Sequence, residues 1–364
     1  MAKEKKEMSP LLARLKKAST IQLSDCLETS SIMERTNTPT SIPALNVILS
    51  GDLNKGLTSG VTVFCGESRT GKSILSLVCA KAYMDRFEDA VLLFYDSEMG
   101  ASKKYFESIG IDPNRVLHTP ITDIEMLKFD IVAQLEQIQR GDHVVIVIDS
   151  VGNLASKKET QDAIDQKSVS DLSRAKALKS FFRLVTPQVN FKDIPLVCIS
   201  HSYQNISAYV PTAVLSGGQG ILYSSDLVVY MSRSQEKQGT DLIGYNFNMT
   251  IMKSRHVREK AKIPLTSLFN GGISKWSGLL DMALASGNVI SQTKGWYQRV
   301  NKETGEVEDK KYRAKETNCE DFWKPVLEDK GFQKWVNDTF SIANSKLLAD
   351  NDTVVNEQFT DSSL

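Results

Sequence analysis

The sequence predicts an α/β fold in which a mostly parallel, twisted sheet is built around a phosphate-binding loop, with a small α+β module following it. Three observations predict it. Short β-branched runs recur along the chain, separated by stretches long enough for crossover helices. A glycine-rich GxxxxGKS loop directly follows the first of these runs. The four tryptophans, Trp276, Trp296, Trp323 and Trp335, all lie in the last quarter of the chain, beyond the recurring runs.

Taken in order, Lys3, Lys5, Lys6, Arg14, Lys16 and Lys17 outnumber Glu4 and Glu7 and form a basic N-terminal arm. The runs Val61 to Cys65, Val91 to Tyr95, Val144 to Asp149, Leu196 to Ser200 and Leu227 to Met231 are nearly continuously apolar, as strands buried on both faces are. Leu75, Val78, Ala82 and Tyr83 give the segment after the glycine-rich loop a helical period. Residues 157 to 170 are polar and aperiodic, which predicts a mobile loop. Leu178, Phe181, Phe182 and Val185 then make the i, i+3, i+4, i+7 stripe of an amphipathic helix. Tyr203 to Gln219 is a second long loop, carrying paired glycines at Gly217 and Gly218. Tyr245 to Lys253 alternates like a strand with one wet face. Residues after about 276 read as a small α+β module with a hairpin around Asn301 to Gly305. In the final segment Asp350, Asp352, Glu357 and Asp361 outnumber Lys346, the composition of a solvated acidic tail. There is no internal repeat.

The 364 residues are 41% hydrophobic and 24% charged, which excludes collagen-like, purely coiled-coil and wholly disordered chains and allows a sizeable core. Lys plus Arg and Asp plus Glu number 44 each, so no global field draws the chain to polyanions, and any such site must be a local patch. The five cysteines, Cys26, Cys65, Cys79, Cys198 and Cys319, show no metal-ligand spacing and read as small buried hydrophobes of a reducing compartment. No secretory leader or membrane-length apolar run is present in the sequence, so a cytoplasmic protein is expected.

The residues Gly66, Glu67, Ser68, Arg69, Thr70, Gly71, Lys72 and Ser73 form the GxxxxGKS loop in a strand–loop–helix context. Such a loop curls its N–H groups around a phosphate, extends Lys72 to the β/γ-phosphates and offers the Ser73 hydroxyl to Mg²⁺. ATP and Mg²⁺ are therefore the expected cofactors. A second carboxylate must hold the metal, and Asp149 at the end of VVIVID occupies the carboxyl edge of a parallel strand where that group belongs. Glu98, at the end of LLFYDSE, is placed to activate a water. A strand-end aspartate is also commonly an Asx turn or helix cap, a reading open for Asp96 as well as for Asp149.

FYDSE, KKYFESIGID with Tyr105, VVIVIDSVGNLASK, LVCISH and LSGGQGILYSSD occur in an order and spacing that resemble the RecA-type recombinases, and SKKETQDA, NCEDFW and His201 resemble the phage members of that family. The resemblance implies a RecA-like P-loop ATPase core over residues 46–275, an N-terminal basic arm and oligomerisation segment over 1–45, the C-terminal module over 276–345 and the acidic tail over 346–364. It implies an ATP-dependent recombinase that forms helical homo-oligomeric filaments on single-stranded DNA, with ATP at the protomer interface, and pairs it with homologous double-stranded DNA. Recombination, repair and recombination-dependent replication are the implied settings. Single-strand-binding and loading-mediator proteins are the implied accessory partners. Glu98 is then the base for water, and Tyr105 stacks on adenine. His201 stands where a glutamine of RecA senses the γ-phosphate. Lys253 and Arg255 match cations that reach a neighbour's γ-phosphate, while Arg174 and Arg233 match DNA contacts.

The residues alone add that Lys176, Lys179 and Arg183 form a basic stripe beside the apolar one, of which Lys176 and Arg183 are assigned to DNA with Arg174. Gly217 and Gly218 would let backbone N–H groups approach a DNA phosphate without reading bases. In the C-terminal module, Lys294, Arg299, Lys302, Lys310, Lys311, Arg313 and Lys315 are interleaved with Trp296, Tyr297 and Tyr312. That pattern fits a module core with a charged rim or a duplex-capturing surface. Two other functions remain: a ring helicase of the same superfamily, which needs an N-terminal domain that the short leader does not supply, and a non-catalytic nucleotide-dependent mediator, against which an intact Lys72, Glu98 and Asp149 argue.

Overall fold

The computed structural model describes residues 8–21, 23–166, 173–205, 212–215, 219–302 and 304–342. A ten-stranded sheet organises the chain. From one edge to the other its strands are Gly272–Ile273, Lys262–Leu268, Asp241–Ser254, Leu227–Gln238, Gly60–Gly66, Pro195–Asn205, Val144–Asp149, Val91–Asp96 and Val116–Pro120, and Thr212–Leu215 pairs back on Pro195–Asn205. The strands from Leu227–Gln238 to Val116–Pro120 are parallel, whereas those beyond Leu227–Gln238 run antiparallel to their neighbours. Gly60–Gly66 is central, paired in parallel on both sides, so the loop that follows it opens at the carboxyl edge of the sheet.

Strand geometry divides the core. Along Gly60–Gly66, Val61, Val63 and Cys65 join one apolar cluster and Phe64 the other, the two-residue alternation of a strand covered on both faces. Helix Lys72–Arg86 covers one face through Leu75, Leu77, Cys79 and Ala80. Helices Ile124–Gln137 and Ser173–Lys192 cover the other, the latter through Leu178, Phe181, Phe182 and Val185, the stripe expected from the sequence.

Two expectations are corrected, and one strand is unanticipated. Within the loop expected over Tyr203 to Gln219, the strand Pro195–Asn205 runs on to Asn205 and pairs antiparallel with Thr212–Leu215. Lys157–Ile164 is a helix and not a loop: Ser156 and Glu159 form a reciprocal capping box at its start. The helix buries no residue and Ile164 is exposed, so no apolar stripe announces it. Val116–Pro120 is a strand that the apolar-run criterion misses, because it lies at the sheet edge with exposed and half-buried side chains. The other predicted strands are present, and Leu227 to Met231 and Tyr245 to Lys253 extend into the long hairpin Leu227–Gln238/Asp241–Ser254.

The C-terminal module contains helix Leu279–Ser286, a three-stranded antiparallel sheet (Val289–Thr293, Trp296–Arg299, Tyr312–Arg313) and helices Glu320–Glu328 and Lys330–Phe340. The turn at Asn301 to Gly305 is closed by a Gly305 N–H to Asn301 carbonyl bond of 2.8 Å. Leu279, Phe322, Trp323 and Phe332 share one apolar cluster with Leu45, Leu75 and Phe94, so the core runs through the boundary expected near residue 276. Cys65, Cys79 and Cys198 are buried as expected, while Cys26 is half-buried and Cys319 exposed. In the N-terminal segment, helix Pro10–Ala18 leaves Leu11 and Leu15 more than half exposed. The arm before residue 8 and the tail from 343 lie outside the described residues. No described helix is long and apolar enough to cross a membrane.

Candidate nucleotide and DNA site

The strand–loop–helix turn is set by two local constraints. Gly71 has φ +85°, a left-handed value that only glycine adopts cheaply, and a Cβ there would stand 2.6 Å from the Phe247 ring. The Thr70 hydroxyl donates to the Glu67 carbonyl at 2.9 Å, closing the loop on itself. Lys72, the first residue of helix Lys72–Arg86, is 5% exposed. Its Nζ donates to the carbonyls of Gly66 (3.1 Å) and Glu67 (2.6 Å). Burial pulls its pKa below the usual lysine value, and the negative charges of Asp149 and Glu98 oppose that shift. The ammonium is thus held inside the loop on neutral acceptors that an anion would replace.

Asp149 and Asp96 end adjacent strands in register. Asp149 is 8% exposed, and burial raises its pKa to about 6 against the hydrogen bond of the Ser73 hydroxyl, which favours the carboxylate. Its Oδ1 is buried with no hydrogen-bond partner among the described residues. An unpartnered carboxylate oxygen beside a serine hydroxyl is a hard-oxygen donor set of the kind Mg²⁺ takes. The Asp149–Ser150 peptide is cis.

Asp96, by contrast, is structural. Its Oδ1 accepts from the backbone N–H groups of Glu98 (3.0 Å) and Met99 (2.7 Å), the Asx turn open in the sequence, and its Oδ2 is 3.2 Å from His118 Nε2. Ser97 ties the two strand ends: its hydroxyl donates to the Ser150 carbonyl at 2.8 Å and accepts from the Ser150 N–H at 2.9 Å. Glu98 is thereby presented over the Asp149 strand. Its Oε1 accepts from the Ser150 hydroxyl (3.2 Å) and Asn153 Nδ2 (2.9 Å), and lies 3.1 Å from His201 Nε2. Ser150, Asn153, Ser97 and His118 were not singled out in the sequence. Ser150 adjoins the strand-end acid, but nothing local marks the other three.

A cleft of about 210 Å³ gathers Ser68, Arg69, Thr70, Gly71, Lys72, Ser73, Glu98, Tyr105, Asp149 and His201. Half-buried Tyr105 comes from helix Lys103–Ile109, and burial pushes its phenol pKa up. Of the expected nucleotide residues, Gly66 and Glu67 contribute the carbonyls that hold Lys72.

Lys253 and Arg255 lie apart from this cleft. The Lys253 ammonium donates to the carbonyls of Leu222 (2.7 Å), Tyr223 (3.1 Å) and Ser225 (2.8 Å), at the C-terminal end of helix Gln219–Ser224. Arg255 Nε is 3.0 Å from buried Asp226 Oδ1, which also has Arg35 at 3.5 Å. Burial first, then Arg255, pulls the Lys253 pKa down.

The expected DNA residues divide. Lys176 and Arg183 are exposed on helix Ser173–Lys192. Arg174 is turned inward: Nε donates to the Leu154 carbonyl at 2.8 Å, and one terminal nitrogen donates to those of Gly152 (2.5 Å) and Val151 (3.4 Å). These bonds brace the loop after Asp149 and compete with the DNA contact that the resemblance implies for Arg174. Arg233 is exposed, stacked over Tyr245 at 4.7 Å and 3.4 Å from the Arg69 carbonyl, next to the phosphate loop. Gly217 and Gly218 lie outside the described residues. In the C-terminal module Arg299 is paired with Glu308 at 2.8 Å, whereas Arg313 lies over Trp296 at 3.9 Å.

Family models and individual relatives match most of the chain. The model of the RecA N-terminal domain matches residues 14–274, and the model described as the C-terminal domain of the bacteriophage T4 recombination and repair protein matches residues 276–336. The recombination and repair protein of Enterobacteria phage T4 is 44% identical over 360 residues, 96% of this chain and 92% of that protein. Protein RecA of Prochlorococcus marinus strain MIT 9303 is 26% identical over 84% of this chain and 77% of its own length. Protein RecA of Malacoplasma penetrans is 23% identical over 64% and 69%.

Proposed function

The chain belongs to the RecA-type recombinase family, and on that premise we propose that it forms helical filaments on single-stranded DNA and hydrolyses ATP between its protomers. Members of the family are DNA-dependent ATPases of recombination and repair whose activity is strand exchange. One observation carries the reading to residues: a single cleft brings Lys72, Ser73, Glu98, Tyr105, Asp149 and His201 together.

In this reading the N–H groups of residues 67–73 and the start of helix Lys72–Arg86 receive the phosphates. The Lys72 ammonium leaves the Gly66 and Glu67 carbonyls for the β/γ-phosphates, and Tyr105 takes the adenine. Asp149 and the Ser73 hydroxyl would hold Mg²⁺, which when bound would supply positive charge to neutralise the phosphates. Glu98 accepts a proton from the attacking water as the oxygen bonds to the γ-phosphorus, and the bond to the β-phosphate oxygen breaks. The His201 imidazole N–H, hydrogen-bonded to Glu98 in the protomer, is the donor that contacts the γ-phosphate. Lys253 and Arg255 act on a neighbour's γ-phosphate, which requires them to leave the helix-end carbonyls and Asp226.

Lys176, Arg183, Arg233 and the Gly217–Gly218 backbone are proposed to hold the single strand by its phosphates, so that sequence search falls to pairing with homologous double-stranded DNA. Single-strand-binding and loading proteins are the proposed accessory partners, and the host cytoplasm is the proposed site of action. ATPase assays with and without single-stranded DNA, combined with electron microscopy of the same mixtures, test the reading. DNA-stimulated hydrolysis with ATP-dependent filaments is expected, and DNA-independent turnover without filaments would overturn it.

A further inference from the structure

Three donors converge on one oxygen of Glu98: the Ser150 hydroxyl, Asn153 Nδ2 and His201 Nε2 all lie within 3.2 Å of Oε1. They differ in what else they must do. Ser150 is fully buried between the strand ends, with its backbone tied to Ser97. His201 is the proposed phosphate sensor, and when its N–H turns to a phosphate it no longer holds Glu98. Asn153 has no such second task, and at 2.9 Å it makes the shortest of the three contacts.

The loop that carries Asn153 is fixed from two sides. On one, Arg174 grips the carbonyls of Val151, Gly152 and Leu154, the residues flanking Asn153. On the other, Gly152 is pressed against His201: a Cβ at residue 152 would stand 2.8 Å from the His201 backbone nitrogen and 2.9 Å from its ring. An exposed side chain on a surface loop ordinarily loses several rotamers when it is fixed. Here the backbone beneath it is already anchored, so only the side chain's own two torsions remain to be ordered when its amide meets Glu98.

We infer that Asn153 is a positioning residue for the hydrolytic base, holding Glu98 Oε1 so that Oε2 is the oxygen available to water, and keeping it there when His201 turns to the nucleotide. The inference rests on the reading of Glu98 as the base. Aspartate is nearly isosteric with asparagine, but its carboxylate cannot donate and repels Glu98, so it separates a donor role from a loop-shape role.

The test is steady-state ATP hydrolysis at saturating single-stranded DNA by Asn153→Asp and Asn153→Ala, each alone and combined with Glu98→Gln. A misplaced base lowers kcat by about 10- to 100-fold and leaves KM for ATP within about two-fold. Asn153→Asp is expected to be at least as impaired as Asn153→Ala, and neither should reduce the residual rate of Glu98→Gln further. Near-normal kcat in Asn153→Asp, or the same fold-loss in the Glu98→Gln background, overturns the inference while leaving the base intact. Normal hydrolysis by Glu98→Gln alone instead removes the base reading, and this inference with it.

Discussion

His201 Nε2 lies 3.1 Å from Glu98 Oε1, so the proposed γ-phosphate sensor and the proposed base for water form one hydrogen-bonded unit within a protomer. His201 lies on strand Pro195–Asn205, whereas Glu98 lies past the end of strand Val91–Asp96 and reaches the sensor because Asp96 and Ser97 turn the chain over the end of the Asp149 strand.

The first prediction follows from that unit. Glu98→Gln keeps an oxygen that can accept from Asn153 and His201 but cannot take a proton from water. Nucleotide binding is therefore retained while hydrolysis falls by about 10²- to 10⁴-fold, and protein assembled with ATP stays on DNA. Equilibrium nucleotide binding and dissociation from labelled single-stranded DNA after dilution are the measurements. Rapid dissociation together with normal turnover would take Glu98 out of the hydrolytic step.

A second prediction concerns Asp149, whose pKa is raised to about 6 by burial. A carboxyl with a raised folded-state pKa binds its proton more tightly folded than unfolded. The resulting stability is fully present below the ordinary value of 3.8 and is lost as the pH rises through about 6. Thermal melts in magnesium-free buffer without nucleotide should thus show a component that declines between about pH 4 and pH 7, worth about 1–3 kcal/mol. Asp149→Asn removes the charge, so it should flatten that component and melt above the wild type at pH 8. An unchanged slope in Asp149→Asn would assign the pH dependence elsewhere.

How much of this was legible in the sequence follows from whether the determinants are local. The phosphate loop was readable because strand, glycines, lysine and helix period are contiguous, and Asp149 because an apolar run ends on it. Tyr105 and His201 came only through resemblance. The grip of Asn153 on Glu98 depends on parallel pairing of strands 91–96 and 144–149, which leaves no periodic trace in either segment. Arg174 was matched to DNA by resemblance, and its position at the start of its helix, where it reaches back to the loop after Asp149, leaves no mark in the sequence. The helix Lys157–Ile164 was hidden by its lack of any buried residue.

Arg174 and its neighbours supply a third prediction. Arg174→Ala leaves the carbonyls of Val151, Gly152 and Leu154 without that donor and should lower stability by about 1–3 kcal/mol. Lys176→Ala and Arg183→Ala remove exposed cations and should leave stability within about 0.5 kcal/mol, while each lowers the slope of log affinity against log salt for single-stranded DNA by about 0.7. Urea melts and salt titrations of DNA binding separate the two behaviours. Equal stability losses for all three variants would contradict the division.

The last prediction concerns Arg255, which is paired with Asp226 in its own protomer and must exchange that partner for a neighbour's phosphate if it acts across the interface. Arg255→Ala should still bind nucleotide in its own phosphate loop, since the guanidinium lies outside that cleft. It should hydrolyse ATP about 10³-fold or more slowly if the cation stabilises transition-state charge. A solvated surface cation would change little. Lys72→Ala protein is inactive for the opposite reason, having an intact Arg255 and a defective loop. In mixed filaments some interfaces join an intact loop to an intact Arg255, so mixing two inactive proteins should restore DNA-stimulated hydrolysis, with a maximum near equal proportions. If Arg255 acts only within its own protomer, each variant carries a broken site into every interface and the mixture stays inactive. Because Arg255→Ala also strips a partner from buried Asp226, a thermal melt of the variant must accompany the titration. A folded, co-assembling mixture with no recovery at any ratio would end the trans assignment.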